Sequence, residues 1–284
     1  MSAVLALLSS LLWGSADFFG GILSRRLPAV LVVAASQFAG LLGIAVVAVA
    51  AGALDSPTGY VAWAVAAGLT GVIGLVAFYA ALASGTMGVV SPIAALGVVV
   101  PVVVGIAQGE RPGTAQVVGI VVAIAGVVLA SGPELSGRAG ARPLVLAVVA
   151  ALGFGGALLS IAKGSRDSTI MTLFTMRVTS VSVLGVALVV LAVRARRAGA
   201  ARGPRLDVRD VAFLALIGLG DAAANLTFGW ASTRGLVSVV AVLGSLYPVV
   251  TVLLAWVLLH ERLGRLQTLG VAGALAGVVL IGAG

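Results

Sequence analysis

Apolar residues run along this chain in blocks of about 20, the length an α-helix needs to cross a bilayer. Charged residues and Pro/Gly clusters break the runs. Ten spans result, at 3–23, 29–51, 61–82, 87–107, 114–131, 144–163, 169–193, 211–231, 236–258 and 267–283. The runs are continuously apolar, so they read as helices; barrel strands would alternate. The longest hydrophilic stretch is "RARRAGAARGPRLDVRD" (194–210). No soluble domain fits between the spans, which puts any function inside the bundle. The first run has no basic start and no small-residue cleavage site, so it reads as a retained span and not a signal peptide.

The pattern is written twice. Aligning Glu110 with Glu261 gives identity at 11 of the 20 positions from glutamate to leucine, including the AGVVL blocks at 125–129 and 276–280. Span 1 matches span 6 at an offset of 141, pairing Gly14/Gly155 and Arg25/Arg166, with Trp13 against Phe154. Span 3 matches span 8 at an offset of 150, pairing Gly68/Gly218 and Phe78/Phe228. Spans 1–5 therefore recur as spans 6–10. An odd number of crossings makes the second copy enter from the opposite face, which predicts an inverted repeat of the kind secondary transporters use. The expected fold is an all-α polytopic membrane protein, ten transmembrane helices as two inverted five-helix repeats at 1–132 and 143–284.

Composition agrees. The chain is 61% hydrophobic and 9% charged over 284 residues, where a soluble domain carries about 25% charged residues. A net charge of +8 does not signal nucleic acid, because the arginines sit in short loops between apolar runs. Lys163 is the single lysine, a bias that points to a GC-rich bacterial genome and so to a bacterial cytoplasmic membrane. Cysteine is absent, which removes thiol chemistry and disulfides. Four basic residues fall on the N-terminal side of the bundle and 12 on the other. The positive-inside rule then places both termini outside.

The chain resembles the drug/metabolite transporter superfamily, EamA-like branch. The resemblance rests on "LLWGSADFF" in span 1, "FYAALASG" closing span 3, "GERPG" with a later "VVG" after span 4, and "LGSLYPVVTVLLAWVLLHERLGRLQTLG" (243–270). Pro248 stands thirteen residues before Glu261, as the family pattern has it. The resemblance implies ten helices, a central cavity and secondary transport, usually export. It also implies termini on the inside, against the charge count. Two further departures stand out. Gly97 occupies the first-half position equivalent to Pro248, and Gln37 stands where relatives often carry arginine, while its span 7 partner Arg177 keeps one.

Charges at membrane depth cost on the order of 3 kcal/mol and generally face a cavity or a partner. Asp221 lies near the middle of span 8, Asp17 about a turn beyond the middle of span 1, and Arg177 within span 7. They read either as a substrate or proton site or as a structural ion pair. Asn225 shares the face of Asp221, one turn on. Trp13, Phe154, Trp230 and Tyr247 could wall a cavity for apolar or cationic ligands, or simply pack. Pro92, Pro101 and Pro248 each remove a backbone bond and are candidate hinges or static kinks. Glu110–Arg111 and Glu261–Arg262 read as capped, ion-paired turns at the membrane boundary or as gating elements, the second beside the single histidine, His260. Gly273 and Gly277, with small residues along span 5, suit close helix packing or a homodimer contact.

Enzyme signatures are absent: no Cys/His cluster, no GxSxG, no phosphate loop. The glycines of "GLGDAA" sit inside an apolar helix with no strand before them. No cofactor or metal is expected. The expected partners are the lipid bilayer, a small-molecule substrate and protons as coupling ion. The leading function is an exporter of small metabolites or drugs working by alternating access. A lipid-carrier flippase and a non-transporting scaffold or sensor are the alternatives.

Overall fold

The protein is described by a computed structural model covering residues 1–84, 90, 93–130, 141–197, 206–258 and 264–283. Among these residues the fold is all-α. The helices are α1 (Ser2–Ser24), α2 (Ala29–Ala50), α3 (Val61–Ser84), α4 (Val99–Ala107), α5 (Thr114–Ala130), α6 (Ala141–Arg197), α7 (Val208–Ser232), α8 (Val237–Gly244), α9 (Tyr247–Leu258) and α10 (Arg265–Ala283). Among the described residues, six helical stretches are long and apolar enough to cross a membrane, with three shorter apolar helices beside them. The six differ from the ten expected for two reasons. Spans 4, 5 and 10 border residues outside the described ones, and spans 6 and 7 are continuous as the 57-residue α6.

α6 is not one straight rod. Its Gly153 packs against Gly74 of α3, and its Met176 and Thr179 pack against Gly68 of the same helix. Positions 23 residues apart on a straight helix would lie about 35 Å apart, yet their α3 partners are only six residues, about 9 Å, apart. The chain must therefore double back, and it does so at Ser168, whose backbone is extended (φ −156°, ψ 110°). Ser168 also accepts a bond from the Met171 N–H at 3.4 Å. A serine with extended backbone and its hydroxyl on an N–H three residues on is an N-cap. Ser168 thus ends one limb of α6 and starts the next without a loop.

Large apolar side chains such as Val4, Phe38, Val186, Leu216 and Val279 point outward, while Arg177, Gln37, Asn225 and many serines are buried. That inversion suits a lipid solvent, which rewards apolar surface and leaves polar groups to partner one another.

The two halves interlock by equivalent contacts. Gly68 of α3 meets the Met176 carbonyl, and its counterpart Gly218 of α7 meets the Ser36 carbonyl of α2. Gly14 of α1 meets Tyr247 and Val250, as Gly155 of α6 meets Gly97 and Val100. α5 and α10 pair with each other: Gly119 faces Ile281, Ala123 faces Gly277, and Gly126 faces Ala274. Numbers rise on one helix as they fall on the other, so these equivalent helices run antiparallel. Their small-residue faces are filled within the chain, which leaves any homodimer to other surfaces.

Candidate functional site

Two helices are interrupted where the halves meet. In the segment from Val237 to Leu258, Pro248 has no N–H to give to the carbonyl four residues back. That carbonyl belongs to Gly244, where α8 ends, and α9 begins at Tyr247. In the first half, Pro101 likewise cannot bond to Gly97. There the chain forms a 3-10 turn, Leu96–Val98, before α4. Both prolines thus mark local breaks. Pro92, Glu261–Arg262 and His260 lie outside the described residues.

Beside these breaks is a central cavity with about 690 Å³ of atom-free space, its mouth included. Trp13, Asp17, Phe154, Arg177, Asp221, Asn225 and Tyr247 all line it. Trp13 and Phe154, equivalent in the two halves, both contribute a wall. Trp230 does not line it. It stands nine residues after Asp221, about half a turn round α7, and so faces away.

Asp221 is the hub of the polar groups. Its Oδ1 accepts from Trp13 Nε1 at 3.0 Å and from Asn225 Nδ2 at 3.1 Å. Its Oδ2 accepts from Arg177 Nη2 at 2.6 Å and from Gln37 Nε2 at 3.2 Å. The Arg177 Nη1 donates to Gln37 Oε1, so Gln37 bridges the ion pair. The Arg177 side chain is only 2% exposed. Gln37 and Arg177 occupy equivalent places in the two halves, and they touch. In an object with an approximate two-fold axis, equivalent groups meet only near that axis. The cluster therefore sits at the symmetry centre of the bundle.

Asp17 stands one turn beyond Trp13 on α1. Its Oδ1 accepts from Tyr79 Oη at 3.5 Å, the outer limit of a hydrogen bond. The Tyr247 hydroxyl is buried and has no hydrogen-bond partner among the described residues. Ser180, Ser245 and Gln37 also line the cavity, and reading the sequence for site residues passed them over. Neutral side chains within an apolar run give no charge signal, although the family departure at Gln37 marked that position.

Two polar ties join the halves at opposite ends of the bundle. Glu110 accepts from the Val237 and Ser238 N–H groups at 2.8 and 2.9 Å, capping α8 from the other half. Gly235, just before α8, packs on Ser2 at the start of α1, so this tie lies at the N-terminal end of α1. Beyond the C-terminal end of α1, Arg26 pairs with buried Asp210. Asp210 also closes a capping box with Asp207 at the start of α7. The expected capped turn at Glu110 is thus a cap, but on a distant helix.

A many-helix bundle with an apolar exterior, two related halves and a charged cavity between them is a membrane transport protein by architecture. The EamA-like transporter family model matches residues 1–132 and again 141–283; the chain belongs to that family, a membrane transporter of the drug/metabolite type. A solved crystal structure superposes with a TM-score of 0.76 at 18% identity, covering 98% of this chain and 95% of its own. That likeness is one of fold. A search of curated proteins finds no match.

Proposed function

We propose that the chain is a secondary transporter that exports small molecules from a bacterial cell by alternating access, with protons as coupling ion. The halves 1–132 and 143–284 are the units that rock. Counting the limbs of α6 separately and α8–α9 as one interrupted crossing gives ten crossings, five per half, and an odd number inverts the second half. The observation that carries the reading is the contact of equivalent residues, Gln37 with Arg177, inside a cavity at the junction of the halves. A bundle enlarged by duplication for bulk alone would fill that junction with apolar side chains, since buried ions cost stability.

The test uses the absence of native cysteine. Ser245→Cys places a thiol on the cavity wall. A membrane-impermeant maleimide is applied to right-side-out and inside-out vesicles. Labelling from both faces, with ligand shifting the ratio, is the expected outcome. Reaction from one face alone under all conditions rules out alternating access and returns the scaffold reading. A flippase would instead be blocked by lipid-soluble reagents and indifferent to water-soluble solutes.

A further inference from the structure

The polar groups of the cavity do not balance. A carboxylate has about four lone-pair sites. Asp221 fills all of them, with Trp13, Asn225, Gln37 and Arg177. Arg177 is held between Asp221 and Gln37 and shows almost no surface. The two charges of this pair thus answer each other within the protein. Asp17 is left over. Among the described residues it has no cationic partner, and its one contact is the long one from Tyr79. Among those residues Tyr247 is left over too, its hydroxyl buried and unpartnered within electrostatic reach of Asp17. Both residues line the same cavity.

Resting on the transporter reading, we propose that Asp17 and Tyr247 form the head-group subsite of that cavity and that the ligand is a protonated primary or secondary amine with an apolar or aromatic body. An anion is disfavoured, because the guanidinium charge is already paired with Asp221 and its side chain is only 2% exposed. A zwitterionic amino acid is disfavoured for the same reason at its carboxylate. The second Asp17 oxygen and the Tyr247 hydroxyl oxygen are open to N–H groups, which a quaternary ammonium lacks. The Trp13 and Phe154 rings suit the cation and the body. The groups facing Asp17 are Asp221 on α7, Tyr79 on α3 and Tyr247 on α9, with Arg177 already bound to Asp221. In the proposed cycle the empty cavity carries a proton on Asp17, because a lone charge there is costly. Amine entry breaks that O–H bond, the proton leaves to water, and the ammonium pairs with the carboxylate. One positive charge replaces another, so the exchange is electroneutral.

The experiment is calorimetric titration of the purified full-length protein in weakly buffered detergent, with released protons followed on a pH electrode. The probes are phenethylamine, its N,N,N-trimethyl analogue, phenylalanine and phenylacetate. Phenethylamine should bind best and release one proton per amine. Asp17→Asn should weaken it at least about tenfold, as loss of one partner of a buried charge pair does, and abolish proton release. Tyr247→Phe should weaken phenethylamine several-fold and leave the trimethyl analogue unchanged. Preference for phenylacetate or phenylalanine, or unaltered binding and proton release in Asp17→Asn, overturns the proposal. If no probe binds while Ser245→Cys labels from both faces, the amine site is wrong and the transporter stands. One-sided labelling sinks the transporter reading itself.

Discussion

At the residue scale, the two intramembrane acids divide by what surrounds them. Asp221 neutralises a guanidinium that is almost wholly buried. Asp221→Asn leaves that charge unpaired, at a cost of about 3–5 kcal/mol, and should lower the melting temperature sharply. Adding Arg177→Gln should recover part of the loss, because the double variant removes both charges. A thermal-melt double-mutant cycle reads the coupling, and simple additivity would contradict the buried pair. Asp17→Asn changes a group with no ionic partner among the described residues, so its melt should stay within about 1 kcal/mol of the wild type or rise, as sites outside named destabilising mechanisms do. Both acids were visible in the sequence as charges at membrane depth. Their difference was not, because it depends on donors that arrive from α1, α2 and α6.

At the element scale, helix ends carry more information than helix middles. The limbs of α6 reverse at Ser168 with no loop, and the hydroxyl cap there takes the place of a turn. Ser168→Ala should cost about 1 kcal/mol, typical of a lost N-cap, with the loss read as a lower melting temperature. The Glu110 carboxylate receives two N–H groups from the first turn of α8, where the helix dipole also favours negative charge. Glu110→Ala should cost about 2 kcal/mol by the scale of hydrogen bonds to charged groups. Glu110→Gln should retain part of that. An unchanged melt for Glu110→Ala would mean that water replaces the cap. The apolar runs were sufficient to place most of these helices. They also separated the two limbs of α6, because the polar residues at 163–168 divide span 6 from span 7; only the structure showed that the chain reverses there without a loop.

At the scale of the whole molecule, the approximate two-fold symmetry makes paired predictions. A methyl group on Gly68 would crowd the Met176 carbonyl, and one on Gly218 the Ser36 carbonyl. Gly68→Ala and Gly218→Ala should therefore be destabilising alike, by about 1–3 kcal/mol as for overpacked cores. A large effect at one and none at the other would break the equivalence. The two end ties make a second pair. Arg26→Ala removes the tie beyond the C-terminal end of α1, and Glu110→Ala the tie at its N-terminal end. In the Ser245→Cys background, each should raise maleimide labelling from its own face. The shift for half-exposed Arg26 should be no more than about fivefold, the population change that about 1 kcal/mol gives. Identical labelling shifts from both variants would remove the ties from any gating role.

What the sequence determined by itself was set by local and repeated properties. Unbroken hydrophobicity demands helices in lipid, because every backbone group must be satisfied within its own segment. The doubled motifs announced two related halves, and charge at membrane depth picked out Asp17, Arg177 and Asp221. Helical periodicity was enough to put Asn225 beside Asp221. Tertiary structure alone decided that Asp221 is saturated and Asp17 is not, that Trp230 faces away, that Gln37 bridges the ion pair, and that Glu110 caps a helix 127 residues on. The physical reason is the same in each case. Burial and helix formation depend on neighbours in the chain, whereas the balance of donors and acceptors depends on which distant helices packing brings to one point.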